Sequence, residues 1–351
     1  MKIAYIIPSL RQTGPIVVVH SLCQNLTKLG ISIDVYYFDP ICEMDFCCPT
    51  HQIQFEETIE FDNYDIIHSH CLRPDKYLYK WKNKIKRAKI ITTLHQDTYA
   101  SFRYDYNFIL SYLFTRYWCF MQSKFDGIIS ISNQLKNSYK KYYKNNITTI
   151  YNGVSIDKPQ DLNNNILQQI QLLKKEGFCV LGTYAYVVKR KGIHQVLEAL
   201  KKNEQYAFVI IGNGPEIENL KNITYKNNIS NRVLFIPHVN QPYLYLKDID
   251  IYIMSSYSEG FGLAMVEAAL SQKPIVCSNI PSFHEIFEDN EAVFFELNNI
   301  ESLIAAIEKV RSNISVYSIK TYNRANNYFT DYIMAQKHIE YYLKVLKCIK
   351  Y

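Results

Sequence analysis

Short apolar runs recur along the chain, and almost every one ends in a polar or glycine-bearing turn that opens onto apolar positions at helical spacing. Lys2 to Ile7, Ile31 to Phe38, Ile90 to Leu94 and Asp126 to Ser132 read as strands of a first half. Phe178 to Thr183, Tyr206 to Ile211, Val233 to Pro237, Ile249 to Met254, Pro274 to Ser278 and Glu291 to Phe295 read as strands of a second. Runs that are apolar throughout, rather than alternating, suit strands covered on both faces of a parallel sheet. Helices are predicted over Val17 to Leu29 (closed by Gly30), Ser132 to Tyr143, Ile166 to Lys175, His194 through Leu200, Ile300 to Arg311 and Tyr332 to Lys350. Strand, turn and helix in repetition predict an α/β protein with two Rossmann-like halves. The first domain is placed at residues 1–157, the second at 166–331, and a C-terminal helix at 332–351. Lys158 to Asn165, with Pro159 and a run of asparagines, is the linker.

The length of 351 residues agrees with about two domains, and 48% hydrophobic with 21% charged residues describes a globular chain with ample core. A net charge of +6 is too weak to argue for a nucleic-acid partner. Nine cysteines without a C-x-x-C pair read as reduced thiols of a cytoplasmic protein, and no zinc-ligand spacing occurs. Ile3 to Ile7 is too short for a secretory core, and no apolar run approaches the roughly 18 residues of a spanning helix. The loop after the first strand, Pro8 to Pro15, contains only Gly14. It therefore lacks the G-x-G-x-x-G fingerprint, which argues against a nicotinamide or flavin oxidoreductase.

The most informative stretch is Ser255 to Ala269, which contains Glu259-Gly260-Phe261-Gly262-Leu263 and then Glu267. It follows the apolar run that ends at Met254, and Leu263, Val266 and Leu270 recur at helical spacing. A strand, a glycine turn and a helix put free backbone N–H groups and the positive end of a helix dipole at the sheet's carboxyl edge, where a diphosphate fits. Gly260 and Gly262 let the backbone approach a ligand. Two carboxylates beside a phosphate cradle suit a sugar nucleotide, one gripping the hexose and the other the ribose.

With seven residues between its two acids, this stretch resembles the signature of the retaining GT-B glycosyltransferases of family GT4. The resemblance is collinear over nearly the whole chain. It takes in Gly14, Thr93-Leu94-His95, Tyr151-Asn152-Gly153-Val154, Lys191-Gly192 and Gly212-Asn213-Gly214-Pro215-Glu216. It implies two Rossmann-like domains with parallel sheets facing across a cleft, and a C-terminal helix that packs back on the first domain. Domain one would bind the acceptor and domain two an NDP-sugar. The resemblance implies catalytic roles for Glu259, Lys191 and His95. It implies donor contacts from Gly14, Arg190, Lys191, His238, Val239, Glu259, Gly260, Phe261, Gly262, Leu263 and Glu267. Backbone near His238 and Val239 would read the base. His68 and His70, on a neighbouring strand end, are further candidates for touching substrate.

The sequence departs from the family at one point: Ala185 or Tyr186 stands where an early arginine of the phosphate clamp is expected, with Lys189 and Arg190 as compensation. Cations built into the site imply no metal and no cofactor. Asp248-Ile249-Asp250 mimics a D-x-D metal motif but lies at the amino end of its strand, away from the ligand edge. The implied activity is retaining transfer of a hexose-type sugar to a hydroxyl of a glycan or lipid-linked glycan, in cell-surface polysaccharide or O-antigen synthesis. The alternatives are a non-catalytic GT-B sugar-nucleotide-binding protein, or a GT-B epimerase or phosphorylase.

Two further stretches suggest a location. Lys76, Lys80, Lys82, Lys84, Lys86, Arg87 and Lys89 form a basic run without an intervening acid, and Phe102 to Phe120 is rich in aromatics. Lysines near an anionic leaflet attract it, and Tyr and Trp favour the headgroup level. The expectation is a protein held peripherally on the inner face of the cytoplasmic membrane, beside a lipid-linked acceptor. The bland alternative for the aromatic run is an ordinary buried helix.

Overall fold

A computed structural model describes residues 1–99, 107–143, 147–156 and 162–347. The first half of the predicted linker, 158–161, falls outside these residues, as do Phe102, Tyr104 and Tyr106 of the aromatic run. The chain divides into two units, residues 1–154 with 330–351, and residues 155–329.

The first unit runs β1 (Lys2–Ile7), α1 (Gly14–Lys28), β2 (Ser32–Tyr37), β3 (Thr50–Gln52), β4 (Ile66–His70), α2 (Leu72–Trp81), β5 (Lys89–Leu94), α3 (Phe108–Gln122), β6 (Gly127–Ser130), α4 (Asn133–Tyr139) and β7 (Ile147–Thr149). Its strands form one sheet in the order β3-β2-β1-β4-β5-β6-β7, parallel at every pairing. Ile3 to Ile7 and all of β4 are buried, so the apolar runs of the sequence become the centre of the sheet. Strand β3 has no such run; Thr50, His51 and Gln52 are all exposed on the edge.

The second unit runs α5 (Asn164–Lys175), β8 (Cys179–Tyr184), α6 (His194–Lys202), β9 (Tyr206–Ile211), α7 (Ile217–Lys226), β10 (Val233–Ile236), β11 (Ile251–Met254), α8 (Leu263–Leu270), β12 (Ile275–Ser278), α9 (Pro281–His284), β13 (Val293–Phe295), α10 (Ile300–Arg311) and α11 (Ile314–Tyr328). The sheet order is β10-β9-β8-β11-β12-β13, again parallel. Order reverses between β8 and β11. At such a crossing the connections leave in opposite directions and open a crevice at the carboxyl ends of the strands.

The last helix, α12 (Asp331–Lys347), belongs to the first unit. Its start is stitched to the end of the first sheet's chain, because Asp331 N donates to Val154 O at 3.2 Å and Asn25 Nδ2 donates to the Asp331 carboxylate at 2.8 Å. Its buried Tyr342 hydroxyl lies 2.8 Å from the Tyr5 hydroxyl and 2.7 Å from His68 Nδ1. His68 and His70 are both wholly buried, which corrects the expectation that they touch substrate. They face the core because β4 is central and covered on both faces.

Gly153 sits where these segments meet. A Cβ there would lie 2.1 Å from Thr330 O, a backbone atom that cannot swing aside. Gly153→Ala should therefore destabilise the protein by about 1–3 kcal/mol, read as a lowered midpoint in thermal unfolding. An unchanged midpoint would show that this junction yields.

Candidate functional site

The predicted strand, turn and helix form as β11, a turn over 255–262, and α8. Gly262 ends the turn at φ +110°, a conformation that side chains rarely adopt, and a Cβ there would also press on Phe283 at 3.2 Å. No side chain caps α8 and no acid lies in its first turn. The leading N–H groups are thus left for an anion. Phe261 is buried and packs edge-on to Phe329 at 5.6 Å, which anchors the turn.

A second loop, 185–192, leaves the neighbouring strand β8 and is laced to the first. Gly192, at φ +61°, passes so close that a Cβ would lie 2.2 Å from Ser255 O. Ser255 Oγ donates to Lys191 O at 3.0 Å, and Tyr257 N donates to Arg190 O at 2.9 Å. The buried Gln195 amide donates to Ser255 O at 3.1 Å, while its carbonyl accepts from Asn298 N at 2.7 Å. A third turn, Gly212 to Gly214 after β9, supports the second: Val187 N donates to Asn213 O at 2.8 Å. Asn213 Oδ1 also accepts from His238 N at 3.2 Å, which ties the β10 edge to the group.

This lacing brings charges together. Lys191 Nζ lies 2.6 Å from Glu259 Oε1, and Arg190 Nη1 lies 3.3 Å from Glu259 Oε2. Ser256 Oγ donates to Oε1 at 2.7 Å, and Arg190 also donates to Ser258 O. Burial alone would push the Glu259 carboxyl up. The cations of Lys191 and Arg190 and the hydrogen bonds outweigh it and hold the carboxyl below the usual glutamate range. The result is two cations on one carboxylate, a net positive cluster at the sheet edge. Lys189 is exposed, and Tyr186 is 69% exposed. At the point of departure from the family, Arg190 therefore stands on the same carboxylate as Lys191.

Glu267, on α8, has a different environment. Its carboxylate accepts from the buried Tyr184 hydroxyl at 2.5 Å, and that hydroxyl also lies 2.9 Å from Ala264 O. Burial disfavours the charged form and pushes the Glu267 carboxyl up to about 7, while the Tyr184 bond pulls the other way. Sequence reasoning did not find Tyr184, Ser256 or Gln195. Ser256 reaches Glu259 from three residues away, Tyr184 reaches Glu267 only through the chain's return to the same edge, and Gln195 touches neither acid but bridges the loops that carry the cluster.

His95 and Gly14 belong to the first unit. Gly14 opens α1, and a Cβ there would meet nothing within 4 Å. Half-buried His95 ends a line that begins with buried His68 and His70: His70 Nδ1 lies 2.7 Å from His95 Nε2, and the His68 and His70 rings are 4.4 Å apart. Burial lowers His95 to about 3, so its ring is neutral at physiological pH. Buried His70 Nε2 has no hydrogen-bond partner. An unpaired buried lone pair is tolerated better than an unpaired N–H. That favours His70 carrying its proton on Nδ1, donating to His95 Nε2, and so leaving the His95 proton on Nδ1. Asp250 is committed to Lys174 Nζ at 2.7 Å and Val180 N at 2.8 Å, and Asp248 accepts from Gln171 at 3.2 Å. Among the described residues no group of three or more acidic, histidine or cysteine side chains could hold a metal.

The comparisons agree with this architecture. Residues 164–329 match the family described as "Glycosyl transferases group 1", and residues 13–158 match "Glycosyltransferase Family 4". The chain is 29% identical to the O-antigen biosynthesis glycosyltransferase WclY of Escherichia coli, over 97% of this chain and 98% of that protein. It is 25% identical to the capsular polysaccharide biosynthesis glycosyltransferase CapM of Staphylococcus aureus, over 74% and 71%. Anabaena HepE, solved in complex with UDP and glucose, superposes with a TM-score of 0.79 over 99% of this chain and 100% of its own, at 16% identity.

The raised Glu267 carboxyl predicts a pH dependence. The folded protein holds this proton more tightly than the unfolded chain, whose glutamates titrate near 4.5. The associated stability is fully present below that pH and is lost as pH rises through about 7. Glu267→Gln removes the titration. Between acid and mildly alkaline pH, the wild type should lose on the order of 1–3 kcal/mol relative to the variant, measured by thermal unfolding across a pH series. A difference independent of pH would contradict the assignment.

Proposed function

The chain belongs to the group 1 glycosyl transferases of GT-B fold, and we propose that it is a retaining, metal-independent transferase that moves a hexose from an NDP-sugar to a glycan hydroxyl. The observation that carries this reading is the Lys191–Glu259–Arg190 cluster beside the uncapped start of α8, at the crossing point of the second sheet. The diphosphate lies against Lys191, Arg190 and the first N–H groups of α8, with Arg190 in place of the family's earlier arginine. Glu259 takes hydroxyls of the hexose and Glu267 those of the ribose. His238 and Val239 face the base. On the first unit, His95 offers the acceptor a neutral hydrogen-bonding ring.

No side chain is assigned as nucleophile. The bond from the anomeric carbon to the diphosphate oxygen breaks while the acceptor oxygen bonds to that carbon on the same face. The acceptor's proton passes to the departing phosphate oxygen. Charge growing on the leaving group is met by fixed cations and amides, which need no reorganisation as the bond breaks.

The names of the relatives support an acceptor in O-antigen or capsular polysaccharide synthesis. A lipid-linked glycan at the inner face of the cytoplasmic membrane, rich in anionic lipid, is the proposed setting. UDP is the first nucleotide to test, since HepE was solved with it.

Glu259→Gln and Lys191→Gln should each lower turnover by about 10²- to 10³-fold with the fold retained by circular dichroism. NMR of the product should show the donor's anomeric configuration. Wild-type turnover in either variant, binding without turnover in the wild type, or an inverted product would overturn the reading. Activity should also survive EDTA; loss on chelation with recovery on manganese would refute metal independence.

A further inference from the structure

Helix α3 is built inside out. Ser111, Thr115, Cys119 and Gln122, spaced along one face, are buried, whereas Phe108, Ile109, Leu113, Tyr117 and Phe120 are 50–66% exposed. Ser111 and Thr115 turn their hydroxyls back onto Asn107 O and Ser111 O, Met121 is wholly buried beside them, and the C-terminal end of the face is held by a polar hub. Asp75 on α2 is fully buried and accepts from Ser69 Oγ at 2.6 Å, Thr92 Oγ1 at 2.8 Å, Trp118 Nε1 at 2.6 Å and Gln122 Nε2 at 2.8 Å. A contiguous apolar ridge of this kind is unusual on a chain that meets only water. It corrects the bland expectation of a buried aromatic helix, because Trp118 turns inward to Asp75 while Phe108, Tyr112, Phe114, Tyr117 and Phe120 are exposed.

The surroundings of the ridge are cationic. From Asn107 to Lys124 there is no acid. A shallow groove of about 360 Å³ on its flank is lined by Tyr112, Arg116, Phe120, Ser123, Lys141 and Tyr142. Arg116 is fixed across it by a 3.0 Å bond to the Tyr112 hydroxyl, and Lys124 lies over the Phe120 ring at 4.9 Å. Helix α2 runs alongside, with Tyr79 against Phe120 at 6.1 Å. The basic run that begins on α2 is less free than its sequence implies. Lys80 pairs with Glu56, Arg87 with Asp65 and Lys89 with Asp126, all brought in by the fold. The cations beside the ridge itself thus matter more than that run.

We propose that α3 lies in the plane of an anionic bilayer, its apolar ridge in the headgroup–acyl boundary and the Arg116–Lys141 groove on a lipid phosphate. Apolar burial and charge attraction act together in such a helix, and its 15 residues are too short to span. The inference deepens the membrane setting given above and rests on it: insertion, not surface charge alone, holds the first unit to the lipid.

The test uses the full chain and sedimentation with phosphatidylcholine vesicles, with and without phosphatidylglycerol. The wild type should pellet with the anionic vesicles and keep part of its binding in high salt, where surface charge is screened. Ile109→Ser, Leu113→Ser and Phe120→Ser together should lower vesicle affinity by about tenfold or more without lowering the thermal midpoint, because these side chains already face outward. Arg116→Glu with Lys141→Glu should remove the salt-sensitive part. Three results would overturn the proposal: a wild type that stays in the supernatant with anionic vesicles at low salt, a triple-serine variant that pellets like the wild type, or a wild-type dimer by light scattering that the triple variant converts to monomer. A thermal-unfolding measurement on the same protein with and without UDP reads the second unit alone, where the donor reading expects a raised midpoint. Vesicle binding without that shift upholds the membrane inference and counts against the donor reading.

Discussion

The second unit depends on one interaction, the largely buried pairing of Glu259 with Lys191 and Arg190. Removing a carboxylate from water is costly, and a single cation seldom compensates for it. Here two cations and the Ser256 hydroxyl share the task. The loops carrying them are locked by the close approach of Gly192 to Ser255 and by Gln195 bridging both. The pairing therefore shapes the turn as well as charging it. On the proposed function, a donor diphosphate would find these cations already placed, the cost of ordering them having been met on folding.

Much of this was legible in the sequence because it depends on local chemistry. The fully apolar runs became the central strands, since a parallel sheet covered by helices has no solvent face to require alternation. The glycines of Glu259 to Leu263 marked a turn whose φ at Gly262 bears that reading out. What was not legible depends on distance along the chain. Tyr184 lies 83 residues from Glu267, and nothing around either residue announces the bond between them. Strand β3 carries no apolar signal because it is an exposed edge. His68 and His70 read as histidines at the carboxyl end of a strand, yet both are buried, among neighbours from β1, β5 and α12.

The aromatic helix shows a different limit. Its composition, rich in Phe, Tyr and Trp, is equally that of a core helix and of an interfacial one. Only the fold shows which face is turned inward, and Asp75 decides it by offering four hydrogen-bond donors a shared buried acceptor. Burial pushes the Asp75 carboxyl up to about 6, against those four bonds. A polar hub thus holds an apolar surface outward. In the first unit as in the second, a buried carboxylate organises the elements around it.

The central claim, that Lys191 and Arg190 on Glu259 form a ready-made diphosphate seat, is tested most directly by calorimetric titration of UDP and uridine into the wild type and Lys191→Gln. If the seat acts as described, UDP binds the wild type far more tightly than uridine does. The substitution should then remove most of that difference, roughly tenfold or more, while leaving uridine binding unchanged. Equal affinities for UDP and uridine in the wild type, or a Lys191→Gln protein that keeps the full preference for UDP, would contradict the account.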